Sequence, residues 1–314
     1  GINAEYGEMF YLTVLNQQFF SQQKLEVMKN IPNMMWTPEI PTMFKDYSEE
    51  QVRNLFSDVP TNEEVAEQDA PALNRLSADS APPATFDWRT VAPACIGKPS
   101  ETGSVCKSDW AFASQDVMSD SRCIFKRDGA KPKRFSFSAQ AQLNCDISGR
   151  GCGSGDLTGS VAFLRKMGVP TADCLAYRSG ISGAVFKCSS VCDNKKVWPE
   201  TYVINMYHNV CKTKKNKQDA IKYAVATAPV RAVFDLYEDF MYFSGKPDQV
   251  YHHTTGNRLG YKHVSIVGWN EMGGVKYWII KNTWGTTWGD NGYFHIQREN
   301  NECGIENNCY SMDP

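Results

Sequence analysis

At 314 residues, with 42% hydrophobic and 22% charged residues, the chain can bury one large core or two ordinary ones, which excludes wholesale disorder. A net charge of −2 gives no electrostatic reason to expect a nucleic-acid or anionic-membrane partner, and no apolar run is long enough to span a bilayer. Eleven cysteines, none in a Cys-x-x-Cys pair, point to an oxidising compartment and several disulfides, with at least one thiol left over. The expected setting is the secretory pathway, either extracellular or lysosome- or vacuole-like. The first residue is Gly1 rather than Met, which agrees with a signal peptide ahead of it. No Asn-x-Ser/Thr sequon occurs, so N-glycans are not expected.

In chain order, residues 1 to about 56 are helix-prone. Leu12, Leu15 and Phe19 fall at helical spacing. A helix should begin at Ser48, where Ser48 and Gln51 form a capping box and Tyr47 and Val52 are placed as a hydrophobic staple. Ser57 to Pro83 is rich in Pro, Asp, Glu, Ala and Ser, with Arg75 its only basic residue, and reads as a linker lying over something else. From Ala84 the main body begins. Asp109 to Phe125 predicts a buried helix packed through Trp110, Ala111, Phe112, Val117 and Cys123. His263–Trp269, Val275–Ile280 and Gly292–Gln297 predict strands bounded by Gly and Asn. Helices first and strands later argue for an α+β body of two lobes rather than a doubly wound sheet.

Thr102–Ser114 carries Cys106, Ser108, Trp110, Ala111 and Phe112 in the pattern Gln-Gly-Ser-Cys-Gly-Ser-Cys-Trp-Ala-Phe, and so resembles the catalytic segment of papain-like cysteine proteases. Ala84–Arg89 is similar to the start of the family's mature enzymes, and Phe137–Cys145 to its Leu-Ser-x-Gln-x-Leu-x-x-Cys segment. Lys262–Asn270 resembles the segment with the catalytic His, Lys281–Phe294 the one with the catalytic Asn, and Cys303–Glu306 the closing motif. Met35–Tyr47 resembles a short cathepsin B-type propeptide.

The resemblance implies a papain-like two-lobe fold in the cathepsin B branch. Residues 1–83 would be propeptide-like helices and linker, with that segment lying in the cleft as the chain's own partner. Residues 84–314 would be the peptidase-fold body, with a helical lobe from about 100 to 200 and a β-rich lobe from about 201 to 314 that includes the N-terminal strand. Implied disulfides are Cys95–Cys123, Cys106–Cys152, Cys145–Cys188 and Cys174–Cys192, with Cys211, Cys303 and Cys309 unassigned. The span from Cys174 to Cys188 is short and holds no His, so the branch's paired-His loop for dipeptide release is missing.

Papain-type catalysis needs a thiolate activated by an imidazolium and a helix N-terminus, a group that orients the imidazole, and oxyanion donors. The resemblance supplies His263 as base, Asn282 as its orienter and Trp284 as the shield over that pair. It supplies no thiol: the nucleophile's position falls on Asp109 and that of the oxyanion Gln on Gly103. Lys107 and Ser154 replace cleft glycines, while Gly155 keeps one.

A carboxylate that starts a helix is also a good N-cap or first-turn residue, worth about 0.5–2 kcal/mol. The sharper expectation is an Asp109–His263 ion pair in place of thiolate and imidazolium. Cys106 is expected in a disulfide, and Ser108 would have to turn onto the wrong face. His252 and His253 read as an exposed loop pair, and Lys212–Lys217 as a solvated loop. No metal and no cofactor are expected. The function that follows is a catalytically inactive cathepsin B-like pseudoprotease, secreted or vacuolar, that binds a protein partner or builds a homo-oligomer. The alternative is an active cysteine endopeptidase zymogen with a misread or modified site.

Overall fold

The computed structural model describes residues 18–58, 81–126, 132–213 and 216–314. In the leading segment, α1 (Gln22–Lys29) starts at Ser21, whose hydroxyl accepts from Lys24 N. The short α2 (Glu49–Arg53) has the expected capping box: Ser48 Oγ accepts from Gln51 N, and Gln51 returns a bond to Ser48 N. Leu12 and Leu15 lie outside the described residues, and Phe19 precedes α1 rather than sitting in it.

The body opens with β1 (Phe86–Asp87) and α3 (Trp88–Val91). The long α4 (Asp109–Phe125) has the bounds expected of it, with its apolar side chains buried except for the half-buried Phe112 and the exposed Phe125 at its end. It is followed by α5 (Ala139–Cys145), α6 (Leu157–Lys166), the short α7 (Ser179–Ser182), β2 (Met206–Asn209) and α8 (Lys217–Thr227). The strands β3 (Val230–Tyr237), β4 (Arg258–Met272), β5 (Val275–Lys281), β6 (Tyr293–Gln297) and β7 (Cys309–Asp313) complete the chain. All pairings are antiparallel in the order β2-β7-β3-β4-β5-β6, with β1 added against β4. This is the expected α+β arrangement.

Two faces of the β3–β4 ladder separate the cores. Successive strand residues point to opposite faces. Ala232, Phe234, Val264 and Ile266 join one core with Phe240 and Trp284. Val233 instead packs with Val117 and Met118 of α4 and with Leu157 and Val161 of α6. The leading segment shares the first of these cores through Phe19, Phe20, Trp36, Phe44, Val52 and Phe56.

The four expected disulfides are all present, and Cys211–Cys309 closes a fifth. Cys303 is the free thiol.

Candidate active-site cleft

Asp109 is the first residue of α4, where the helix N-terminus favours an anion, and it is buried. One carboxylate oxygen accepts from Ser57 Oγ at 2.8 Å. The other accepts from the backbone N–H of His263 at 3.1 Å and faces Lys262 Nζ at 3.5 Å. Burial pushes the carboxyl up, but the Lys262 charge and these donors outweigh it and hold the pKa below the ordinary value.

Lys262 is itself buried. Its ammonium donates to Thr283 Oγ1 at 2.7 Å and lies 5.2 Å from the centre of the Trp284 ring. Desolvation lowers its pKa to about 8, with Asp109 opposing the shift.

His263 follows on the opposite face. In the β3–β4 register it pairs with Val233, and Arg231 pairs with Ser265, which makes Arg231 and His263 diagonal neighbours on the face toward α4. Arg231 donates to Trp110 O and Ser114 Oγ of that helix and to His263 Nδ1 at 2.7 Å. A guanidinium has no acceptor, so Nδ1 accepts and the imidazole is neutral. Burial and the Arg231 charge push its pKa down to about 3.

The expected Asp109–His263 ion pair therefore does not form. The cation on Asp109 is Lys262, and His263 contributes only its backbone N–H. Nor does Asn282 orient the ring: its Oδ1 accepts from Thr283 N, and its Nδ2 has no partner among the described residues.

Residues 55–58 of the leading segment lie against these side chains. Ser57, expected in a loose linker, forms an antiparallel bridge to Tyr261: Ser57 N donates to Tyr261 O at 2.9 Å and Tyr261 N returns to Ser57 O at 2.7 Å. Asp58 N donates to Ser154 Oγ at 3.1 Å, and the Asp58 carboxylate takes both its oxygens to the Lys107 ammonium. Trp284 Nε1 donates to Leu55 O at 3.0 Å. Gly260 admits this strand, since a Cβ there would lie 2.4 Å from Ser57 O and 2.8 Å from the Phe56 ring. Gly155 is needed for a different reason: a Cβ would lie 2.1 Å from the Trp110 indole. Gly103 has φ +69, a left-handed backbone in which a side chain is strained.

A sequence profile of the papain family of cysteine proteases matches residues 82–312. The chain belongs to that family. Within this papain-family chain's kin, "Cathepsin B-like CP3" of Giardia intestinalis is 36% identical over 280 residues, covering 87% of this chain and 88% of that protein. "Cathepsin B-like cysteine proteinase 4" of Caenorhabditis elegans is 32% identical over 316 residues, covering 91% and 90%. The solved procathepsin B S9 of Trypanosoma congolense superposes with a TM-score of 0.82 over 95% of this chain and 99% of its own, at 23% identity, a likeness of fold.

Few thiols are open to this papain-family chain. Cys106 is bonded to Cys152. Cys303, free, lies against Glu302, and burial with that carboxylate raises its thiol pKa. Ser108 is engaged with Tyr177 OH at 2.8 Å and with Cys106 O. The histidine pair is not an exposed loop: His253 bonds Asp239 and stacks on Tyr237, and His252 O accepts from the Trp36 indole. Among the described residues no group of three or more His, Cys, Asp or Glu converges to hold a metal ion.

Reading the motif alone missed Lys262 and Arg231. The signals were present. Lys262 shares its strand face with Val264 and Ile266, and Arg231 is a lone charge inside the apolar run Val230–Phe234, where a buried cation requires partners.

Proposed function

We propose that this chain is a cathepsin B-like pseudoprotease: it keeps the papain-family cleft for binding and does not cut peptides. The observation that carries the reading is the buried Asp109–Lys262 pair under Trp284. Asp109 stands where the family's nucleophile would, and Lys262, not His263, where its base would. A carboxylate held anionic by an ammonium reproduces the charge pattern of thiolate and imidazolium without a competent attacking group. Lys262 is occupied by Asp109 and Thr283, and the nearby imidazole accepts from Arg231 on the far face of the strand. Gly103 offers no side-chain donor to an oxyanion, a loss worth about 10²–10³ in rate in other enzymes.

The division of the chain follows the same reading. Residues 1–83 are the propeptide-like leader and 84–314 the body. β1 of the body joins the sheet of the β-rich lobe, which supports placing the N-terminal strand there. Five disulfides support maturation in the secretory pathway.

The second reading is an active cysteine peptidase, and it is favoured by the relatives, which are named as proteinases. An epoxide titrant directed at active-site thiols separates the two. The expected result is no stoichiometric labelling of the native protein and no cleavage of fluorogenic dipeptide substrates between pH 4 and 8, with or without proteolytic opening of the leader. Labelling, or cleavage that disappears on changing Asp109 or Lys262, would overturn the inactive reading.

A further inference from the structure

We infer that the cleft is a receptor for an extended peptide carrying a hydroxyl residue followed by an acidic one, and that Ser57-Asp58 of the leader is its built-in ligand. The inference rests on the binding reading above and names the partner's chemistry. Ser57 is held by two backbone bonds to Tyr261, which any residue but proline could make. Its side chain is read differently: the hydroxyl donates to Asp109 in a fully buried position. Asp109 offers that position only an acceptor, so a hydroxyl fits, whereas a carboxylate is repelled and an alkyl group leaves the acceptor short of a donor.

The next residue meets Lys107, whose side chain is mostly covered and whose ammonium closes on both oxygens of the more exposed Asp58. Ser154 Oγ fixes the amide between them by accepting from Asp58 N. Trp284 anchors the strand two residues earlier through Leu55 O. The two reading groups, Asp109 and Lys107, are of opposite charge and two positions apart in the chain. They impose an order: hydroxyl first, acid second, in the leader's direction along β4.

The test uses the full chain. A Ser57→Gly/Asp58→Lys chain removes the hydroxyl and sets Lys against Lys107, leaving the cleft's own residues intact. Its Tyr261 amide should exchange with deuterium about tenfold faster than in the native chain. A fluorescent peptide of sequence Asn-Leu-Phe-Ser-Asp-Val should bind this opened chain, by polarisation, about tenfold more tightly than the native chain, where the leader competes.

Ser→Ala in the peptide should weaken binding about tenfold, and Asp→Asn about fivefold. In a chain opened instead by Ser57→Gly/Asp58→Gly, so that no leader lysine can pair with the new carboxylate, Lys107→Glu should reverse the preference, toward a peptide with Lys in place of Asp. Binding that ignores the hydroxyl and the charge, or no binding by an opened chain, overturns the inference. Unchanged Tyr261 exchange overturns it too, because Ser57 and Asp58 would then not be what holds the strand. Cleavage of the bound peptide would sink the inactive reading and leave this one standing.

Discussion

Lys262 Nζ and the Asp109 carboxylate face each other at 3.5 Å with both side chains removed from solvent. Each is costly to bury alone and tolerable with the other. Lys262→Met should therefore cost about 3 kcal/mol, because it strands an anion among neutral donors. Asp109→Asn combined with Lys262→Met should return to within about 1 kcal/mol of native, since Asn can turn its Oδ1 to the His263 N–H and its Nδ2 to the Ser57 hydroxyl, which accepts as well as donates. Urea unfolding of the four proteins at pH 7 measures the coupling. A Lys262→Met chain as stable as native would contradict the pairing.

Revival of hydrolysis should need more than sulfur. Asp109→Cys alone leaves Lys262 where a base is wanted and Gly103 where a donor is wanted, so no cleavage above background is expected. Asp109→Cys with Lys262→His and Gly103→Gln is the smallest set that restores the family's groups. Its Gln carries a left-handed backbone penalty of about 1–2 kcal/mol at φ +69. Rates with a fluorogenic dipeptide after opening of the leader decide it, and family-like turnover from the single change would refute the assignment of Lys262.

Acid should destabilise the fold through His263. Its folded pKa, about 3, lies below the unfolded value near 6.5, so the unfolded chain takes up the proton first. Stability from this group is full above pH 6.5 and is lost as pH falls toward 3. Between pH 7 and 5 the loss is about 2 kcal/mol. His263→Gln retains an acceptor for Arg231 and does not titrate, so its chain should show a pH slope shallower by that amount in paired urea titrations. Equal slopes would mean that the imidazole is not held neutral.

Thiol counting checks the fifth disulfide. The chain has eleven cysteines and five bridges, so the unreduced, denatured protein should react with one equivalent of a thiol reagent, and mapping should place it on Cys303. Cys211–Cys309 spans a sequence separation of 98, and replacing both by Ala should cost about 4.7 kcal/mol by loop-closure entropy. Three equivalents from the unreduced, denatured chain would remove this bridge.

Local chemistry was readable from the sequence and long-range pairing was not. The Ser48–Gln51 box, the bounds of α4 and the run that became β5 each depend on neighbours within one element, and each formed as expected. The motifs located side chains that meet the leader: Asp109 bonds Ser57, Ser154 bonds Asp58 and Trp284 bonds Leu55. The choice between Lys262 and His263 was lost because a strand's facing depends on the register of its partner: a slip of one residue exchanges every side chain between faces. Cys211 and Cys309 stayed unassigned because connectivity does not follow from spacing alone. Ser57 looked like linker by composition; two backbone bonds to Tyr261 make it an isolated bridge onto β4.

Phe19, Phe20, Trp36, Phe44 and Phe56 sit in one apolar cluster with Phe240, Trp284 and Trp288. A nick anywhere in 59–80 would therefore release no small fragment. The two pieces should comigrate on a native gel and separate only under detergent, and the shorter one, stripped away, would bare an aromatic wall inviting self-association.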